Sequence, residues 1–143
     1  MTDAAGAIVD GVHVLPVRVY YEDTDAAGIV YYANYLRYAE RARSEMLRHI
    51  GIESGRMMAD IGLAFAVKRC VMDFLKPAKL DDLLTVETRL TEIGGASLSV
   101  DQRVRCDGAD LVCMELKLAC MSLGGRPARL PDDIRERLES FGT

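Results

Sequence analysis

The chain is 143 residues long, 50% hydrophobic and 28% charged, with a formal net charge of −4. That balance belongs to an ordinary globular protein rather than a disordered one, and an acidic chain lacks the basic surface needed to track a phosphate backbone. No apolar run reaches the roughly 20 residues of a membrane-spanning helix, and Met1–Gly11 has neither the basic start nor the apolar centre of a signal peptide, so a cytoplasmic location is expected.

The first dozen residues, rich in Ala, Gly and Asp, have no periodicity. They read as a flexible leader, residues 1–12, ahead of one domain over residues 13–143. From Val14 to Tyr21, β-branched and aromatic residues predict a first strand. An acidic loop containing Gly28 follows, and then the one long helix, which Tyr32 is expected to open. In it Tyr35, Ala39, Ala42, Met46 and Ile50 recur at spacings of four and three, with Leu36 and Leu47 widening the stripe and Gly51 placed to cap the end. Arg41 with Glu45, and Glu40 with Arg43, stand at separations where side chains meet, and Glu40 with Arg43 reads as a helix-surface or interface ion pair.

Leu63–Leu75 is apolar on both alternating sets, the pattern of a strand covered on two faces, and Lys76-Pro77 ends it. Leu84, Val86 and Leu90 mark the next strand, Leu98, Val100 and Val104 another, and Val112 to Cys120 the last, with Gly94-Gly95 and Asp107-Gly108 as the turns. Asp132 and Asp133 suit the positive start of a short closing helix. The order strand, helix, four strands, helix predicts an α+β fold in which a five-stranded antiparallel sheet wraps the long helix, because one helix face and one sheet face can then bury each other.

Chemistry concentrates between Tyr20 and Tyr35. Asp25 lies on the Gly28 loop, seven residues before Tyr32, and a helix start carries unpaired N–H groups able to hold a developing oxyanion. A carboxylate beside such donors is a minimal hydrolytic site. Taken alone, an aspartate in a loop more often caps its own turn. Asp23-x-Asp25-x-x-Gly28 also imitates the start of a calcium loop, but Ala27 and Asn34 occupy positions where ligands are required, so no metal is expected. The four cysteines form no Cys-x-x-Cys pair and read as reduced, buried thiols. Gly-x-Ser-x-Gly, His-Glu-x-x-His and Gly-x-x-x-x-Gly-Lys motifs are absent from the sequence. A site of carboxylate and backbone alone needs an electrophile more reactive than an amide, and thioesters qualify.

The run Asp-x-x-Gly-x-Val-Tyr-Tyr-x-Asn-Tyr at residues 25–35, followed by Glu40 and Arg43, resembles the hotdog-fold thioesterases of the 4-hydroxybenzoyl-CoA thioesterase family, most closely the Tol-Pal-associated, YbgC-type acyl-CoA thioesterases. The resemblance extends from about residue 17 to residue 131. It implies a hotdog fold, a dimer with a continuous sheet, further assembly to a homotetramer, and hydrolysis of acyl-CoA to a carboxylic acid and free CoA with no cofactor beyond the substrate. Asp25 then matches the catalytic carboxylate, as general base or nucleophile, and the Tyr32 N–H the donor to the thioester carbonyl. Some relatives carry histidine where this chain has Tyr32, so no imidazole partner for Asp25 is implied. Gly28, Val30 and Tyr31 are candidates to line the substrate site, and Arg126 and Arg129, on a Gly- and Pro-rich loop, to meet the phosphates of CoA. A different class of function is a scaffold that binds acyl-CoA or acyl carrier protein in envelope lipid metabolism with little turnover.

Overall fold

The computed structural model describes residues 4–142. Six strands form one antiparallel sheet: β1 (Ala7–Val9), β2 (Val12–Arg18), β3 (Leu63–Phe74), β4 (Leu83–Ile93), β5 (Ser97–Cys106) and β6 (Ala109–Ser122), in the spatial order β1-β2-β4-β5-β6-β3. Three helices accompany them, α1 (Asn34–His49), α2 (Ser54–Ile61) and α3 (Asp132–Gly142). The sheet therefore has one strand more than the five expected. The extra one, β1, lies within the segment read as a leader and pairs Ile8 with His13. Residues 1–3 of that leader fall outside the described residues.

The meander reads directly from its turns. Cys106 pairs with Ala109 across Asp107 and Gly108, whose φ values of 52° and 80° both lie in the left-handed region that a two-residue hairpin requires. Alternate residues of β4, β5 and β6, such as Val86, Val100 and Leu116, face inward and are buried. The α1 face formed by Tyr35, Ala39, Ala42 and Met46 closes on them, as the helical period predicts.

Several side chains depart from the expected pattern. Leu36 is exposed. Arg43, assigned to the surface, turns inward and donates from Nη1 to Gln102 Oε1 at 3.0 Å. Neither Glu40–Arg43 nor Arg41–Glu45 forms an ion pair among the described residues; Glu45 meets Arg48 instead, at 3.5 Å. The buried Gln102 amide draws the guanidinium under the sheet, and spacing along the helix carries no information about that partner.

β3 is the second correction. It pairs only with β6 and forms the edge of the sheet, so within one chain Val67, Val71 and Phe74 are exposed at 50%, 38% and 52% rather than covered. A long, apolar, unpaired edge is a surface that proteins ordinarily cover.

Candidate active site

The sheet hands the chain to the site at Val19, which exchanges backbone hydrogen bonds with Asp81 and Asp82. Tyr21–Asp23 then form a 3-10 turn, held by the Tyr20 N–H donating to Asp23 Oδ2 at 2.8 Å. Thr24 and Val30 bridge antiparallel, enclosing a five-residue loop in which Asp25 N–H donates to Ile29 O and Gly28 N–H to Asp25 O. Gly28 has φ of 76°, the conformation in which glycine escapes the Cβ penalty. The loop is fastened from outside as well, with Val30 N–H donating to Ala78 O and Leu80 N–H to Gly28 O.

Asp25 sits exposed on this loop. Its Oδ1 accepts from the Ala27 N–H at 2.9 Å, the turn-capping contact expected of a loop aspartate. That bond occupies one oxygen and orients the carboxylate. Among the described residues Oδ2 has no partner, so capping and chemistry are compatible here.

The chain re-enters helix by tight steps. Asn34 N–H donates to Tyr31 O at 2.8 Å, Tyr35 N–H to Tyr32 O at 3.4 Å and Leu36 N–H to Ala33 O at 3.2 Å. Helix α1 therefore starts at Asn34, two residues later than expected, and Tyr32 occupies the turn before it. The Tyr31 N–H is used, donating to Asp23 O at 3.0 Å. Among the described residues the Tyr32 N–H makes no hydrogen bond, as an N–H at a helix entrance can.

Aromatic rings flank this entrance. Tyr31 and Tyr32 are half-exposed or more, their ring centroids 4.9 Å apart, and Tyr32 meets Phe74 of β3 edge-on at 6.3 Å. Tyr35 is buried beneath, 5.9 Å from Phe74, and its hydroxyl accepts the Ala78 N–H at 3.0 Å. Burial raises the Tyr35 pKa, so the hydroxyl stays neutral as that acceptor.

The remaining sequence candidates divide. Gly28 and Tyr31 stand beside Asp25 and Tyr32, whereas Val30 is buried in the core. Arg126 and Arg129 are exposed but lie at the far end of the sheet. Ser122 N–H donates to Arg126 O, and Ser122 pairs with Leu63, at the opposite end of β3 from Phe74. At about 3.3 Å per residue the two ends stand roughly 35 Å apart, so one chain does not unite these arginines with Asp25. Two residues that sequence reasoning left unassigned join the site: Phe74, read as core, and Asn34, quoted in the motif but given no role.

A model of the thioesterase-like superfamily matches residues 19–138. The acyl-CoA thioesterase YbgC of Haemophilus influenzae is 42% identical over 90% of this chain and 95% of its own length. The acyl-CoA thioester hydrolase YbgC of Escherichia coli is 43% identical over 83% and 90%. Among solved structures, "Probable Thioesterase from Bartonella henselae" superposes with a TM-score of 0.81 at 36% identity, covering 84% of this chain and 99% of that one. The chain belongs to the thioesterase-like superfamily, and its fold is the hotdog fold.

Proposed function

We propose that this protein hydrolyses acyl-CoA thioesters to a carboxylic acid and free CoA. The observations that carry the reading are an oriented, exposed Asp25 carboxylate on the loop closed by Thr24 and Val30, and, two residues beyond that loop at the entrance to α1, a Tyr32 N–H with no partner among the described residues. The names of the two YbgC relatives support the same chemistry. In the general-base form, Asp25 takes a proton from water as the oxygen attacks the thioester carbon, and the carbonyl oxygen gathers negative charge against the Tyr32 N–H. Collapse of the tetrahedral species expels the CoA thiolate, which recovers the proton from Asp25. In the nucleophilic form, the carboxylate attacks the thioester carbon and the C–S bond breaks to release the CoA thiolate; water then cleaves the mixed anhydride, regenerating Asp25 and releasing the acid, and its proton passes to the thiolate. Neither form calls for a metal or an organic cofactor.

The exposed β3 edge extends the proposal to a dimer. Two β3 strands pairing antiparallel about a two-fold axis would make one continuous sheet, covering Val67 and Val71. The same operation brings the partner's Leu63 end, with its Arg126 loop, beside this chain's Phe74 end, so that cations and carboxylate meet between subunits. A thiol-trapping assay over short-chain, long-chain and aromatic acyl-CoAs tests the reading. Asp25→Asn is expected to lose about 10²–10⁴-fold in turnover. Wild-type turnover in that variant ends the proposed role of Asp25, and tight acyl-CoA binding with background turnover throughout favours the scaffold reading.

A further inference from the structure

Asp23 is the point where the Asp25 loop and the helix entrance are tied together. Its carbonyl oxygen accepts two hydrogen bonds, from the Tyr31 N–H at 3.0 Å and from the Asn34 side-chain Nδ2 at 2.8 Å. Its carboxylate accepts the Tyr20 N–H at 2.8 Å. Behind it, burial and then the neighbouring Asp23 carboxylate push the Tyr38 hydroxyl well above the ordinary phenol range. Asn34 is 9% exposed, a buried amide spent on one carbonyl eleven residues upstream.

We propose that Asn34 is the positioning residue of the hydrolytic site: its amide, through the Asp23 carbonyl, fixes the Asp25 carboxylate relative to the Tyr32 N–H. The inference rests on the roles assigned to those two groups. Asp23 is two residues from Asp25, and Tyr31 adjoins Tyr32, so the two bonds at one oxygen set the register between the halves of the site. Without the Asn34 bond the loop keeps its outer ties to Ala78 and Leu80, but the Asp23 carbonyl is held to the helix entrance by the Tyr31 N–H alone. Small displacements of this kind cost catalysis far more than binding, because attack requires close alignment of the reacting atoms.

Asn34→Asp separates positioning from folding. It keeps the side-chain shape, and an acidic residue at a helix start is favourable, so α1 is supported while a carboxylate replaces the donor and repels the Asp23 carbonyl. The expected result is a kcat lower by about 10- to 100-fold with KM within about threefold of wild type, measured well below a melting temperature that the buried carboxylate lowers. In an Asp25→Asn background the same change is expected to cost nothing further, since residues acting as one unit are not additive. If Asp25→Asn abolishes turnover while Asn34→Asp keeps the wild-type kcat, or if the two losses multiply, the positioning role is overturned alone. If Asp25→Asn itself retains full turnover, the hydrolytic reading falls and this role falls with it. Should Asn34→Asp not fold, Asn34→Ser, too short to reach Asp23 but suited to a helix start, is read against the same criteria.

Discussion

His13 Nε2 stands 3.2 Å from His49 Nδ1, joining β2 to the last residue of α1. The same Nε2 lies 2.9 Å from Ala5 O, to which its N–H donates, so the ring also holds the segment leading into β1. His13 is fully buried, and among the described residues its Nδ1 has no partner. A second proton there would have no acceptor.

Burial lowers the His13 pKa below 6.5 and the His49 ring adds to the shift, against the opposing pull of the Ala5 carbonyl and Glu45. The unfolded chain therefore binds a proton near pH 6.5 that the folded protein refuses, and stability, complete above that pH, is lost as pH falls below it. Melting temperature is expected to drop between pH 7.5 and 5.5, above the range where carboxylates titrate. His13→Gln, which can still donate to Ala5 O but cannot titrate, should flatten the slope. Parallel slopes for the two proteins would refute the assignment.

Gln102 governs the polar centre of the core. Its Nε2 donates to Ala39 O and to Thr88 Oγ1, both at 2.9 Å, while its Oε1 receives Arg43. Burial depresses the Arg43 pKa, and no carboxylate pairs with it within 4 Å among the described residues. Gln102→Leu leaves this guanidinium and the Thr88 hydroxyl without their partner, for an expected loss of about 2–3 kcal/mol in denaturant unfolding. A loss under about 0.5 kcal/mol, the scale of an ordinary surface change, would show that water or rearrangement replaces the amide.

The β3 edge is tested by charge. Val71→Lys alters a side chain already exposed in the single chain, so thermal stability of the isolated fold should change little. Size-exclusion chromatography is expected to move the protein from dimer or larger to monomer, with hydrolysis lost in parallel. A wild-type protein eluting as an active monomer would remove the partner from the site altogether.

Arg126 and Arg129 are tested with two substrates. Replacing both by Ser is expected to raise KM for an acyl-CoA several-fold and leave kcat intact, while an acyl-pantetheine thioester without the nucleotide phosphates is turned over as before. Equal effects on both substrates would place the arginines in folding or assembly instead of phosphate binding.

Local pattern made much of this legible. Asp107-Gly108 can adopt two successive left-handed residues, so the β5–β6 turn follows from the dipeptide, and the α1 stripe follows from its spacing. Weak local signal hid other elements. β1 is three exposed residues with no period to detect, and α2 is eight residues of which only Met57 is buried. β3 misled because apolar residues on both alternating sets state a need for cover without stating which chain supplies it.

The sequence by itself determined the strands of the meander, their turns and the buried stripe of α1, since each depends on residues within a few positions along the chain. Only the tertiary structure decided that β3 lies against β6 at the sheet edge, that Arg43 turns toward Gln102, and that Asn34 reaches Asp23. Those outcomes depend on contacts between distant segments. Buried polar groups choose their partners by mutual satisfaction in the packed interior, a condition that no local periodicity encodes.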